Sequence, residues 1–248
     1  MTAFSLSDTI TVVTGGSGLL GARYCDAIRA AGGTAINADL AVETDLDRHQ
    51  HRLDITSLDS IKELIGAVRA RYGRLDGWVN NAYPRTKDWG TRFELTTPES
   101  WRQNVDMHLN GYFLCCQQAL EAMKEQGHGS LINMGSIYGI QGPDFWIYEG
   151  TGQTNSAIYA AIKGGITNLT RYLAAYYGPH GVRVNTVSPG GIFDNQVPSF
   201  VERYELKTPL RRLGTPDDIA PSIVFLLSDA ARYLTGHNLV IDGGWSII

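Results

Sequence analysis

Short β-branched apolar runs alternate along this chain with longer segments whose apolar residues recur at helical spacing. Ile10 to Thr14 is the first such run and ends in glycines, and Leu19, Tyr24 and Ile28 then share one stripe, so a strand, a turn and a helix are predicted in that order. Gly32 and Gly33 end that helix, and Thr34 to Asp39 reads as a second strand. Farther on, Ile61, Leu64, Ile65 and Val68 stand at i, i+3, i+4 and i+7, which predicts a helix followed by a strand over Asp76 to Asn81. Strands are also predicted at Ser130 to Met134, Val182 to Val187 and Asn238 to Ile241, with helices at Pro98 to Gln126, Asn155 to Tyr177 and Pro216 to Leu227. Repeated strand-helix units joined by right-handed crossovers predict an α/β fold: a doubly wound parallel sheet of about seven strands with helices on both faces.

At 248 residues, without linker, repeat or low-complexity tract, the chain is expected to form a single domain over 1–248. The one irregular stretch, Gly139 to Thr154, is rich in glycine and aromatic residues and reads as a functional loop inserted between two core elements. A net charge of −4 with no concentrated basic face argues against a nucleic-acid partner. Cys25, Cys115 and Cys116 are odd in number and two are adjacent, which suits buried thiols in a reduced compartment. The first residues lack a secretory pattern, and no run approaches the ~18 apolar residues of a membrane span, so a cytoplasmic location with no membrane partner is expected. His49 and His51 have no nearby thiol or carboxylate to complete a metal shell, and they read as a solvated loop with no metal. The apolar tail Trp245 to Ile248 suggests burial at a subunit contact and hence a homo-oligomer, a dimer or tetramer.

Candidate chemistry clusters at the strand ends. Thr14 to Gly21 joins the first strand to the first helix with Gly15, Gly18 and Gly21, where backbone N–H groups and the helix dipole favour a pyrophosphate; glycines also serve merely to end strands. Asp39 follows Gly21 by eighteen residues at the end of the second strand, near the ~20-residue offset at which a carboxylate meets the ribose hydroxyls of NAD. No Arg or Lys lies between Gly33 and Asp47 to receive a 2′-phosphate, which favours NAD over NADP; the alternative is a solvated strand-end Asp. Tyr159 and Lys163 stand four residues apart on one helix face, so an ammonium can lower the phenol's pKa from ~10 toward working range; the alternative is a partly exposed helix surface.

With these residues assembled, the chain resembles the short-chain dehydrogenase/reductase family, a Rossmann-like group, along nearly its whole length. The landmarks are the glycine loop, Asp54 and Ile55 after the third strand, Asn80 to Ala82, Ser136, the Tyr159/Lys163 pair, Asn185 with Ser188 to Gly190, Arg212 to Gly214 with Pro216 and Asp218, Thr235 with Gly236, and Asp242 to Gly244. The resemblance implies that Ser136 hydrogen-bonds the substrate oxygen, that Tyr159 exchanges its proton, and that Lys163 also grips the nicotinamide ribose. It implies cofactor contacts from Gly15, Ser17, Gly18, Leu20, Gly21 and Asp39 in the first βαβ unit. Asp54, Ile55, Asn81 and Ala82 would line the adenosine side, and Pro189, Gly190 and Ile192 the nicotinamide side.

The chain departs from the family's pattern in five places. Leu19 replaces the second glycine, giving the loop spacing of larger nucleotide-sugar epimerases and dehydratases. His108 stands where the family's catalytic Asn belongs; a neutral imidazole can replace that Asn but changes charge near pH ~6.5, and the alternative is a packing histidine. Asp194 takes the place of a Thr that meets the carboxamide. Ser136 and Tyr159 are 23 residues apart because of the Gly139 to Thr154 insertion, where Tyr148 and Glu149 with other aromatics and carboxylates suit a polyhydroxylated substrate or, alternatively, a protein interface. Tyr83 replaces the usual glycine after Asn80 to Ala82, and Arg85 and Lys87 near it can receive a phosphate or carboxylate or remain solvated.

Asn81 to Arg85, Ser136 to Gly139 with its long loop, and Ser188 to Asn195 look like the oxidoreductases of flagellin-glycosylation and legionaminic-acid gene clusters. That likeness implies NAD(H)-dependent hydride transfer to or from a carbonyl or secondary alcohol of a sugar or amino-sugar derivative. The alternatives are an NAD-retaining sugar epimerase or dehydratase, which the glycine spacing suggests, and a non-catalytic dinucleotide-binding regulator.

Overall fold

The computed structural model describes residues 3–248. Ile10–Thr14 (β1), Thr34–Asp39 (β2), Gln50–Arg52 (β3), Gly77–Asn80 (β4), Gly129–Met134 (β5), Val182–Pro189 (β6) and Asn238–Ile241 (β7) form one parallel sheet in the order β3-β2-β1-β4-β5-β6-β7. All five residues of β1 and all four of β4 are buried, because helices cover both faces and a central parallel strand has no wet side. Leu19–Ala30 (α1) and Pro216–Leu227 (α7) pack on one face through Tyr24, Cys25, Ile28, Ile219 and Ile223. Leu58–Tyr72 (α2), Gly111–Gln126 (α4) and Ala157–Tyr177 (α5) pack on the other through Ile61, Leu64, Tyr112, Cys115, Cys116, Ile158 and Ile166. All three cysteines are free and buried.

Local chemistry sets the helix ends. Ser57 accepts from the N–H of Ser60 to begin α2, and Gly73 ends it at φ +74°. Thr215 and Asp218 form a reciprocal capping box ahead of α7, with Pro216 at a position where no N–H is needed. No helix among the described residues is long and apolar enough to cross a membrane.

Four differences from the sequence expectations have physical causes. The helix predicted over Pro98 to Gln126 is divided: Pro98–Asn104 (α3) leads into a π-helical turn over Val105–Asn110 before α4, and this widened turn carries His108 into the interior. His51 is not in a solvated loop; it sits in β3, 2% exposed, with Nδ1 2.7 Å from the Arg52 carbonyl, because pairing to β2 buries that strand's inner face. A helix that the apolar pattern did not reveal, Pro198–Lys207 (α6), buries only Phe200 and Tyr204. Trp245 is not part of an exposed tail, since it is 1% exposed and stacks on Tyr204 at 4.1 Å; only Ile247 and Ile248 remain exposed.

The Gly139 to Thr154 stretch runs between β5 and α5 and holds a short helical turn, Phe145–Tyr148. It is fastened to α6 by an ion pair between Lys207 and Asp144 and by Arg203, which donates to the carbonyls of Trp146 and Glu149. At its start Gly139 lies against α5, where a Cβ would stand 2.7 Å from the carbonyl carbon and oxygen of Lys163. Gly139→Ala is therefore expected to lower stability by about 1–3 kcal/mol, since backbone must move to admit the methyl. Urea unfolding followed by circular dichroism measures this, and an unchanged midpoint would refute the close fit.

Candidate active site

The direction of chain progression across the sheet reverses between β1 and β4, and at such a point the loops after neighbouring strands diverge and leave a crevice. Here that crevice is a cleft of about 1030 Å³, at the upper end of the ~300–1,000 Å³ typical of ligand sites. It runs from Asp39 after β2, past the glycine loop, Asp54, Ile55, Asn81 and Ala82, to Ser136, Tyr159, Lys163 and the segment Pro189 to Ile192.

At the Asp39 end the backbone is tightly cross-linked. Gly15 has φ +64°, and a Cβ there would stand 2.8 Å from Ala82 Cα, so the loop passes against the end of β4 as only glycine allows. Thr14 Oγ1 accepts from the N–H groups of Asn81 and Ala82 at 3.0 Å, while Asn81 Nδ2 donates to the Thr14 carbonyl at 3.1 Å and the Gly15 carbonyl at 3.0 Å. Asp39 Oδ2 accepts from the N–H of Ser17 at 3.0 Å, and Oδ1 accepts from that of Ala41 at 2.9 Å, so the carboxylate faces the loop's open side. Gly15, Gly18, Leu20, Asp39, Asp54, Ile55, Asn81, Ala82, Pro189, Gly190 and Ile192 line the cleft, whereas Ser17 and Gly21 do not. Ser17 donates its backbone N–H to Asp39, and Gly21 leaves room for the Gly15 carbonyl, which would lie 2.1 Å from a Cβ. One cation that the sequence reading passed over, Arg52, pairs in register with Asp39, but its guanidinium donates to the Leu40 carbonyl at 3.0 Å and it does not line the cleft.

At the other end, α5 presents Tyr159 and Lys163 one turn apart. Ser136, at the exit of β5, is 5% exposed, and its Oγ accepts from the N–H of Tyr138 at 3.2 Å, which leaves its own proton to donate into the cleft. Lys163 is 5% exposed; its Nζ donates to the Met134 carbonyl at 2.7 Å and lies 3.5 Å from His108 Nε2. The rings of Tyr112, Tyr159 and Tyr83 surround the same nitrogen at 5.5, 5.7 and 5.8 Å. Burial lowers the Lys163 ammonium from 10.5 to about 7.

Two expectations are corrected here. Lys163 was expected to pull the phenol's pKa down, yet burial raises that of Tyr159, with the Ser136 hydroxyl opposing the rise. The phenol is deeply buried, and the cost of holding a phenolate away from water dominates. His108 was expected to change charge near pH ~6.5. It is 1% exposed, and burial together with the charge of Lys163 holds its pKa well below 6.5, so it is a neutral imidazole at physiological pH. His108 does not line the cleft; its Nε2 faces Lys163, and its ring packs against those of Tyr83 and Tyr112, with centroids 5.2 and 5.0 Å away.

The mouth beside Tyr159 is aromatic. Tyr83 packs edge-on against Tyr159 with centroids 5.7 Å apart, Trp89 lies 6.2 Å from Tyr159, and Tyr148 and Phe200, tilted against each other at 5.3 Å, line the cleft as well. Arg85 lines this mouth as well. Glu149 does not, because it points to solvent while its carbonyl binds Arg203, and Asp144 is occupied by Lys207. Trp89, Gln196 and Phe200 went unnoticed in the sequence, where nothing in the spacing of Trp89 or Phe200 ties them to Tyr159.

A family model described as enoyl-(acyl carrier protein) reductase matches residues 29–246. The post-translational flagellin modification protein A of Campylobacter coli is 35% identical over 98% of this chain and 100% of its own length. A cis-4-hydroxycyclohexanecarboxylate dehydrogenase of Sinomonas cyclohexanicum is 32% identical over 98% of this chain and 99% of its own. Among solved structures, a short-chain dehydrogenase of Leptospira borgpetersenii with bound NAD+ superposes with a TM-score of 0.87 at 36% identity, covering 98% of this chain and 95% of that one. The chain belongs to the short-chain dehydrogenase/reductase family of oxidoreductases.

A buried ammonium that titrates at about 7 weakens the free protein. The unfolded chain holds that proton up to 10.5, so the wild type gains stability as pH rises from about 7 to 10.5. Lys163→Met is expected to stabilise the free protein by about 1–4 kcal/mol at and below neutral pH, with a gain that shrinks toward pH 10.5. Denaturant melts at several pH values check it; a destabilised variant at pH 7 would contradict it.

Proposed function

We propose that this protein transfers hydride between NAD(H) and a secondary alcohol or carbonyl borne on the ring of a sugar or amino-sugar derivative. The observation that carries the reading is the continuous cleft from the Asp39 carboxylate to the Tyr159 phenol, with a desolvated ammonium at its catalytic end. The cleft's donors and acceptors suit a dinucleotide: backbone at the glycine loop, a carboxylate for vicinal hydroxyls at Asp39, and Lys163 with a single protein carbonyl as firm partner. The Leptospira homologue holds NAD+, and NAD is assigned here on that likeness together with Asp39. When bound, the nicotinamide supplies or accepts the hydride.

The chain's own residues manage the proton. Ser136 donates a hydrogen bond to the substrate oxygen and fixes its distance from Tyr159. Tyr159 gives its proton to that oxygen during reduction and takes it back during oxidation. Lys163 would hold the ribose hydroxyls of the bound cofactor, and its charge would favour the phenolate. His108 stays neutral and accepts from Lys163, so the ammonium keeps a defined position without a second positive charge beside it. Tyr83, Trp89, Tyr148 and Phe200 supply apolar faces for a ring. A ring-borne alcohol is also what the Sinomonas relative's name describes, and sugar chemistry is suggested by the flagellin-modification relative. The free, buried cysteines support a cytoplasmic location, and the exposed Ile247 and Ile248 support a dimer or tetramer.

The test is a panel of sugar phosphates, nucleotide sugars and cyclic ketones assayed by NADH and NADPH absorbance. Turnover with NADH is expected, and Tyr159→Phe should lower it about 10²- to 10⁴-fold while NADH binding, read by fluorescence, is retained. Undiminished turnover in that variant would defeat the assignment. Asp39→Ala is expected to erode the preference for NADH over NADPH by tenfold or more, because the carboxylate that repels a 2′-phosphate is gone. An unchanged ratio of kcat/KM for the two cofactors would move that selectivity elsewhere.

A further inference from the structure

Five charged residues line the cleft: Asp39, Asp54, Arg85, Lys163 and Asp194. Asp39 and Asp54 belong to the adenosine end, Lys163 is committed at the catalytic floor, and Asp194 follows the nicotinamide segment. Arg85 is thus the one cation at the substrate mouth. Among the described residues no carboxylate lies within ion-pair distance of it, although twelve such pairs occur elsewhere in the molecule, most involving arginine. It is nevertheless not adrift. Its guanidinium carbon lies 4.7 Å from the centroid of the Tyr83 ring and 5.4 Å from that of Trp89. Those same two rings pack on Tyr159, at 5.7 and 6.2 Å, so the cation is held close to the phenol by two shared neighbours.

A guanidinium held against two rings has five N–H donors, and a pair of them forms the fork that grips a carboxylate or phosphate. Arg85 is exposed, and the two rings beside it limit the positions its guanidinium takes, so an anion there meets a more ordered cation than at an open surface. Tyr83 adds a second point. Its side chain lines the cleft beside Arg85, whose charge favours the phenolate against the cost of burial. Position 83 bears a large ring where small residues would leave Arg85 without support.

We infer that Arg85, stacked on Tyr83 and Trp89, is the anion-recognition residue of the substrate site, and that the substrate's ring carries an acidic group, a carboxylate or a phosphate, on the side away from the reacting carbon. This rests on the hydride-transfer reading and narrows it. Neutral ring alcohols would bind without their main orienting contact. An acidic one would be held at two points, its charge at Arg85 and its reacting oxygen at Ser136 and Tyr159. Fixing both ends of a ring in this way selects which carbon is presented to the phenol.

The experiment titrates the protein, saturated with NADH, with cyclohexanecarboxylate, cyclohexyl phosphate and cyclohexanecarboxamide, following bound-NADH fluorescence and, in parallel, calorimetry. NADH affinity is measured first, and its absence would count against the cofactor assignment alone, since the calorimetric titration of free protein still reads the anion site. At least one of the two anions is expected to bind tenfold or more tightly than the amide, and the better one identifies the acidic group. Arg85→Gln should remove that advantage at least tenfold, whereas Arg85→Lys, which keeps the charge without the fork, should retain part of it. Added salt should weaken the anion and spare the amide. Equal affinity for anions and amide, or an anion preference that survives in Arg85→Gln, would overturn the inference.

Discussion

Everything at the catalytic end depends on one buried charge. An ammonium removed from water is costly, and Lys163 offsets that cost with a single strong hydrogen bond to Met134, a weaker contact with His108 and the faces of three tyrosines. Each partner comes from a different element: Met134 from the end of β5, His108 from the π-helical turn, Tyr83 from the loop after β4 and Tyr112 from α4. The lysine therefore ties together the parts that shape the site, and its depressed pKa shows how incompletely the protein alone satisfies it. Ligand hydroxyls that accept from it would supply what the protein withholds, which makes the site less stable than it could be and ready to bind.

The opposite end of the cleft uses backbone where the catalytic end uses charge. Thr14, Gly15, Asn81 and Ala82 cross-link the loops after β1 and β4 at the point where the sheet order reverses, and the Ser17 N–H holds the Asp39 carboxylate. Such a scaffold sets the distance between Asp39 and Tyr159 by the strands of the sheet, while the substrate wall is built by the long loop and α6, which Lys207 and Arg203 fasten to each other.

Most of the strands and the motifs at their ends were legible in the sequence because a doubly wound sheet encodes both in local pattern: apolar runs for buried strands, and turn residues directly after them. Asp39, Asn81, Ser136 and Pro189 all sit at strand ends, and all line the cleft. What escaped were features set by tertiary packing. The π-helical turn has no marker in the helical spacing of Pro98 to Gln126, and the burial of His108 that makes it a neutral partner of Lys163 follows from that turn. His51 looked polar but is buried because its strand pairs with β2. Glu149 looked available, yet chain direction in the insertion turns its side chain outward and gives its carbonyl to Arg203. The tyrosine–lysine spacing foretold proximity correctly, but not that burial of the phenol would raise its pKa.

The most direct measurement of this account is a pH titration of the Lys163 side chain by nuclear magnetic resonance, using protein labelled at lysine ε-carbons and assigned by comparison with Lys163→Arg. In the free protein the resonance is expected to titrate near neutrality, at about 7, and to move upward when NADH is added and its hydroxyls accept from the ammonium. A Lys163 that titrates at its ordinary 10.5 in the free protein and does not respond to NADH would contradict the claim that a desolvated ammonium organises this site.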